Sequence, residues 1–300
     1  MKIAITGSSG LIGTALTSAL NTKGHFVIPM VRGNQSQPDT IAYDYHHRTI
    51  EKEKLATCHC LIHLAGRPIA DGRWTQKVKQ DIRESRVQST RFLAETLAEL
   101  KEEGAGPKAL INASAIGYYG NRGDTELHED AGPGENFLAE VCSAWEQATE
   151  PAREASIRVA IARIGVVLAR DGGALKKMLL PFKLGIGGRL GDGQQYMPWI
   201  HLDDLVSALV WLVEKEDASG PYNCTAPEPV RNAAFTKTLA TVLKRPAFLP
   251  APAFALRLAL GEMADQLLLA SVNVVPSHLQ QEGFSFQHGN LKVALKDLID

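Results

Sequence analysis

Three glycines recur at a spacing of three in the N-terminal run Thr6-Gly7-Ser8-Ser9-Gly10-Leu11-Ile12-Gly13. The residues before it, Lys2-Ile3-Ala4-Ile5, read as a short apolar strand. Those behind it, Leu11 to Leu20, place Leu11, Ile12, Ala15, Leu16, Ala19 and Leu20 at helical spacing. A glycine run where a strand becomes a helix can cradle a pyrophosphate. Gly7 permits the tight turn, Gly10 lets the backbone approach the phosphates, and Gly13 lets the helix pack close to the strand. The helix N-terminus adds free N–H groups and a partial positive charge. The expected cofactor contacts here are Gly7, Ser8, Ser9, Gly10, Leu11, Ile12 and Gly13.

A second chemical signal follows at the end of the apolar run His25–Val31, where Val31 and Arg32 stand. A chain that binds NAD usually carries an acid there to hold the ribose 2′-OH. None appears before Asp39. An arginine can instead form a charge-assisted fork on a 2′-phosphate, which an acid would repel. The position therefore favours NADP(H) over NAD(H); a solvated surface arginine is the alternative.

The elements that must position these residues alternate between strand and helix. Cys60–Gly66 reads as a buried strand ending in small residues, so Leu64, Ala65 and Gly66 are expected to lie against the cofactor. A long helix is predicted from about Thr75 to Glu103, a strand over Lys108–Ser114, and a helix over Phe137–Glu154. A further strand, Ile157–Arg163, runs on into Gly165–Leu168, where Arg163, Val166 and Val167 are cofactor candidates; a plain core strand is the alternative. This alternation predicts an α/β fold, a Rossmann-type doubly wound parallel sheet with a smaller C-terminal substrate lobe. Glycines punctuate 171–200 around a helix at Ala174–Leu184, and prolines cluster from Pro246. Residues 1–245, with an insertion at about 171–200, are expected to form the cofactor-binding part, and 246–300 a C-terminal module. Pro198–Leu202 reads as a short strand, with Asp203 or Asp204 capping the next helix.

Composition narrows the function classes. A net charge of -1 offers no support for a nucleic-acid or anionic-membrane surface, and no apolar stretch reaches the length of a membrane span. The chain opens directly on its first strand, so no signal peptide is expected. Cys58, Cys60, Cys142 and Cys224 have neither disulfide-framework nor zinc spacing and fit buried thiols in a cytoplasmic protein. His46, His47 and His59 lack metal-ligand spacing. For His201 a strand-end position beside a helix cap is the commoner explanation, so no metal is expected.

Several runs together resemble the extended short-chain dehydrogenases/reductases: Gly7-x-x-Gly10-x-x-Gly13, His63-Leu64-Ala65-Gly66, Ser114 ahead of Tyr118-Tyr119-Gly120, and Trp199-Ile200-His201-Leu202-Asp203-Asp204. Arg67–Trp74, Ser85-Arg86, Gly185-Ile186-Gly187-Gly188 and Gln195–His201 resemble its atypical "epimerase family" branch, labelled nucleoside-diphosphate-sugar epimerase or cell-division inhibitor. The resemblance spans essentially the whole chain, including that branch's small C-terminal module. It implies that Arg86 points to the cofactor in place of the usual asparagine, with Asp81 nearby. It also implies a Tyr-x-x-x-Lys pair about 24 residues after the serine, the tyrosine as acid/base and the lysine lowering its pKa. Counting from Ser114 reaches Leu138-Ala139-Glu140-Val141-Cys142 instead. Leu138 transfers no proton, and a neutral Cys142 gives no ammonium field, though Cys142 and Ser114 are both expected among the cofactor contacts. The atypical branch is similar in this loss, often with cysteine at the lysine position.

Catalysis would then fall to Ser114, at a strand end where open α/β sheets bind ligands, and to Tyr118 or Tyr119 in the loop behind it. The alternatives are a turn serine and tyrosines packing a pocket wall. Lys176 and Lys177 could reach an anionic substrate or belong to a solvated face. Two functions fit: an NADP(H)-dependent oxidoreductase or epimerase acting on a sugar nucleotide or small carbonyl, and an NADP(H)-sensing regulatory protein with little or no turnover.

Overall fold

The computed structural model describes residues 1–33 and 37–299. β1 (Lys2–Thr6) leads through α1 (Leu11–Thr22) to β2 (Phe26–Arg32), β3 (Ile41–Asp44) and β4 (Thr49–Ile50). α2 (Lys52–Ala56), β5 (Cys60–His63), α3 (Gln76–Glu102), β6 (Ala109–Ala115) and β7 (Glu126–Leu127) follow. Next come α4 (Phe137–Gln147), α5 (Glu150–Glu154), β8 (Arg158–Ile164), β9 (Val166–Leu168), α6 (Gly173–Lys183), β10 (Tyr196–Met197), β11 (Trp199–His201), α7 (Leu202–Glu214) and β12 (Gly220–Cys224). The chain closes with β13 (Val230–Arg231), α8 (Asn232–Leu243), α9 (Ala253–Leu260), β14 (Asn273–Val274), α10 (Ser277–Gln281) and α11 (Leu291–Ile299).

The main sheet runs β12-β8-β6-β5-β1-β2-β3-β4, and only the β3–β4 pair is antiparallel. The fold is thus a doubly wound, mostly parallel Rossmann-type sheet. Strand order reverses at β1, whose neighbours are β2 and β5, and such a reversal opens a crevice at the strands' C-terminal ends. Alternate residues of β1 feed opposite layers. Ile3 and Ile5 pack with Leu16 and Leu20 of α1 and Leu205 and Leu209 of α7. Ala4 faces the core formed with Leu93 and Leu97 of α3 and Ala152 of α5. A third core joins Leu175 and Phe182 of α6 to Phe235 and Leu239 of α8 and to Leu291, Leu295 and Leu298 of α11.

Three local expectations are corrected. The helix predicted over Phe137–Glu154 is two, because Pro151 falls in the first turn of α5 and its ring cannot follow the carbonyl four residues earlier. The strand predicted to run from Ile157 through Leu168 breaks at Gly165, whose position leaves no room for a side chain: a Cβ there would lie 2.9 Å from the Pro198 carbonyl oxygen. Beyond it β9 leaves the main sheet and pairs with β11. Finally, His201 rather than Asp203 or Asp204 caps α7: its Nδ1 accepts the Asp203 N–H at 3.1 Å. The buried Asp204 carboxylate instead accepts the N–H groups of Gln287 and His288, tying the C-terminal segment to α7.

Candidate functional site

The glycine turn is built as tightly as its sequence implies. Gly7 has φ +70°, a left-handed conformation, and a Cβ there would come within 3.0 Å of the Ala65 nitrogen. A Cβ on Gly13 would lie 2.1 Å from the Gly7 carbonyl oxygen, so α1 can rest on the turn only without a side chain. Gly10 donates its N–H to that same oxygen at 3.1 Å and serves as the N-cap of α1 with no side-chain cap. The first-turn N–H groups of Leu11, Ile12 and Gly13 are left to the crevice. Thr14 reaches back to the Ser8 carbonyl and holds the loop, with Ser9 exposed beside it.

A buried polar chain fixes the crevice floor. The Thr6 hydroxyl accepts the N–H groups of Leu64 and Ala65, each at 3.2 Å, so its own proton goes to His63 Nδ1, 2.6 Å away. His63 Nε2 then carries the imidazole proton and donates to the Ser89 hydroxyl, which donates to the Ser85 carbonyl. His63 is fully buried, and burial pushes its pKa down to about 3, so it stays neutral. The ends of β1 and β5 are thereby locked in register where Leu64, Ala65 and Gly66 line the crevice.

On the far side of β2, Arg32 is exposed and makes no ion pair among the described residues. It lines a narrow cleft with Tyr43, Tyr45, Ala65, Gly66 and Ser85, next to Val31. Burial raises the Tyr43 hydroxyl to about 12, against the pull of the Arg32 charge. Across from it, the half-buried Arg86 guanidinium sits over the Trp145 ring, 5.1 Å from its centroid, and donates to the Arg67 and Ile82 carbonyls. A Cβ on Gly66 would approach its central carbon to 3.2 Å, so Gly66 is the position that admits this cation. No carboxylate among the described residues pairs with Arg86, and burial lowers its pKa. Asp81 is engaged elsewhere, in an ion pair with Arg67.

A second cluster forms where β6, β8 and α4 meet. The buried Ser114 hydroxyl donates to Glu146 at 2.6 Å, and the same carboxylate takes a bidentate fork from Arg163, both arms at 2.9 Å. Arg163 also donates to the Tyr119 hydroxyl and the Glu129 carbonyl. Tyr119 is fully buried, donates to Asn223 at 2.7 Å, and is raised to about 12 by burial. Tyr118 differs. Its ring lies 3.6 Å under the Arg163 guanidinium, it is half-buried, and no hydrogen bond occupies its hydroxyl among the described residues. Leu138 and Cys142, where a tyrosine and a lysine were sought, are buried and pack on Gly117. Burial pushes the Cys142 thiol up to about 12, with the Glu146 charge adding to it.

The fold therefore gathers the predicted residues into two groups at one crevice: the Gly7–Gly13 turn with Arg32, Leu64–Gly66 and Arg86, and the Ser114–Tyr118–Tyr119 loop with Arg163 and Cys142. Val166 and Val167, partly buried on β9, complete the wall, and Gly172 closes over Leu11, where a Cβ would meet that side chain at 2.9 Å. Lys177 is directed at the Ala70 carbonyl, 3.4 Å away. Sequence reasoning missed Glu146, Trp145, Glu129 and Asn223. Helical spacing from Leu138 and Cys142 leads to Trp145 and Glu146, the signal that was there to read. His201 stacks on His288 with ring centroids 3.9 Å apart, and because its Nδ1 accepts a backbone N–H, its Nε2 holds the proton.

Known proteins share this architecture. A model of the NAD dependent epimerase/dehydratase family matches residues 3–225, and one of a domain of unknown function, DUF1731, matches residues 251–298. An epimerase family protein of Mycobacterium bovis is 42% identical over 293 residues, covering 98% of this chain and 96% of its own. The crystal structure of human epimerase family protein SDR39U1 with NADPH superposes with a TM-score of 0.88 at 31% identity, over 99% of both chains. A nucleoside-diphosphate sugar epimerase from Corynebacterium glutamicum superposes at 0.80 with 37% identity, over 98% of this chain and 57% of that one.

Proposed function

The chain belongs to the NAD dependent epimerase/dehydratase family, and on that premise we propose that it is an NADP(H)-dependent oxidoreductase or sugar-nucleotide epimerase. The observation that carries this reading is the uncapped N-terminus of α1 resting on a turn that admits no Cβ at Gly7 or Gly13. Such a cradle suits a pyrophosphate. Arg32, exposed and without an acid, supports NADP(H) over NAD(H). Arg86, a crevice cation with no carboxylate, supports a second contact to the anionic cofactor. Leu64, Ala65, Gly66, Val166 and Val167 would form its walls.

When bound, NADP(H) supplies the hydride-transfer chemistry. What this chain must add is binding, orientation and one proton. Tyr118 is the residue we assign to the proton, because its hydroxyl is free and its ring is held by Arg163. Ser114, Tyr119 and Cys142 are buried and bonded within the protein, and Arg163 is spent on Glu146, so these four build the wall that presents Tyr118. Asp81 acts through Arg67. The substrate class that fits is a sugar nucleotide or a small carbonyl, handled in the cytoplasm. We divide the chain accordingly into a cofactor-binding part over 1–245, with its insertion at 171–200, and a module over 246–300.

The engaged state of Ser114 and Tyr119 favours a second reading, an NADP(H) sensor that turns over little. Single-turnover oxidation of NADPH, followed by absorbance against pooled carbonyl compounds and sugar nucleotides, separates the two. The enzyme reading expects oxidation that Tyr118→Phe slows by about 10²-fold or more. Tight NADPH binding with no oxidation by any carbonyl pool, and no isomerisation of any sugar nucleotide by the protein loaded with NADP+, refutes it in favour of the sensor.

A further inference from the structure

The net charge of -1 hides a strong local asymmetry. Residues 172–191 and 232–261 together carry eight lysines and arginines and no aspartate or glutamate. The same two stretches hold seven of the ten large hydrophobic side chains exposed among the described residues, from Leu249 at 46% to Leu258 at 76%. The fold brings the stretches side by side. A Cβ on Gly185 would touch Pro246 at 3.8 Å, Gly188 abuts the Leu249 carbonyl, and Gly191 donates to the Ala251 carbonyl at 2.9 Å.

Between them lies a cavity of about 690 Å³, open to solvent. Arg189, Lys237, Lys244 and Arg245 line it, and Ala240 and Phe248 supply apolar wall. Phe248 is 71% exposed at its edge. None of the four cations has an ion-pair partner among the described residues. Like charges around one concavity raise its potential and favour an anion there. None of these lining residues belongs to the glycine cradle or to the Ser114 cluster, so the groove is a separate site.

We propose that this groove binds a small amphipathic anion, a phosphate or carboxylate head on an apolar body. The cations take the head, while Phe248 and the neighbouring Leu184 and Ile186 cover the body. The volume suits such a ligand, since small-molecule sites run to roughly 300–1,000 Å³. A second copy of the chain does not suit the face, because a two-fold interface would set these cations against themselves. A protein partner suits it less well, because the two stretches contain five lysines and neither tyrosine nor tryptophan, and interface centres are depleted in lysine.

The test uses the full chain, with and without NADPH, so its outcome does not depend on the cofactor reading. Binding of decyl phosphate below its micellar concentration is measured by calorimetry beside inorganic phosphate and decyl maltoside. The expected result is decyl phosphate binding at least about tenfold tighter than either control and weakening with salt. The double variant K244E/R245E and the single variant F248S should each lose it while keeping the wild-type melting temperature. Phe248 is exposed, so F248S keeps the test decisive if the charge reversal disturbs α8. Equal binding of decyl phosphate and decyl maltoside, or undiminished binding in F248S, overturns the proposal. So does binding to phosphatidylglycerol vesicles with none to monomeric decyl phosphate, which would make the face a membrane-docking surface.

Discussion

Gly13→Ala should damage both the fold and the cofactor site, by an amount the geometry sets. Its Cβ would lie 2.1 Å from the Gly7 carbonyl oxygen, 2.7 Å from Ser8 Cα and 2.9 Å from the Gly7 carbonyl carbon, where ordinary contact begins at 3.4 Å. All three atoms are backbone, so no side chain can swing aside. Overpacking of this kind costs roughly 1–3 kcal/mol, and the backbone obstruction argues for the upper half. A loss of about 2 kcal/mol corresponds to a melting temperature lower by roughly 3 °C in a chain of this size. Relief must come from lifting α1 off the turn, which misdirects its first-turn N–H groups. Losing one charge-assisted hydrogen bond costs about 1.5–3 kcal/mol, or roughly ten- to a hundredfold in NADPH affinity. Gly10→Ala is the comparison: its Cβ would meet only the Gly7 oxygen, at 3.3 Å, so the fold should hold while affinity falls. Thermal melts and fluorescence titration of both variants check this. A Gly13→Ala protein with unchanged melting temperature and unchanged NADPH affinity would refute the reasoning.

The two tyrosines should separate cleanly. Tyr119→Phe strips a buried hydroxyl from Arg163 and Asn223 and should destabilise by about 1–3 kcal/mol in chemical denaturation; Tyr118→Phe should leave stability within about 0.5 kcal/mol. Acid sensitivity should trace to His63, which is neutral in the fold down to about pH 3 but takes a proton near 6.5 when unfolded. Between those values the unfolded chain binds more protons, so stability is full above pH 6.5 and declines as pH falls toward 3, by a few kcal/mol. His63→Gln, followed by urea denaturation from pH 7 to 4, should show a flatter decline than wild type; an equal slope would remove His63 as the cause.

The cradle was legible in the sequence because its constraints are local. A strand, a turn that only glycine permits and a helix period all fall within twenty-odd residues, and α3 was found within a residue at each end because its apolar stripe is long. What escaped depends on distant partners. β12, Gly-Pro-Tyr-Asn-Cys, has poor strand composition and forms because β8 supplies a complete ladder beside it. The cap of α7 was misassigned because an aspartate in the first turn looks like a cap, whereas His201 is folded back onto the helix and Asp204 is claimed by residues more than eighty positions away. Net charge is blind to placement in the same way: a sum over the chain conceals the basic stretch around α8. In the site, the sequence named single residues, but their hydrogen bonds were not foreseeable. Only the structure separates Tyr118, with a free hydroxyl, from Tyr119, buried against Asn223.

The central claim, a crevice built for NADP(H), is tested most directly by titrating the wild-type protein and Arg32→Ala with NADPH and NADH under one buffer. Wild type is expected to bind NADPH roughly ten- to a hundredfold tighter than NADH, and Arg32→Ala to lose most of that preference while NADH affinity stays put. Equal affinity of wild type for the two cofactors, or an unchanged preference in Arg32→Ala, would contradict it.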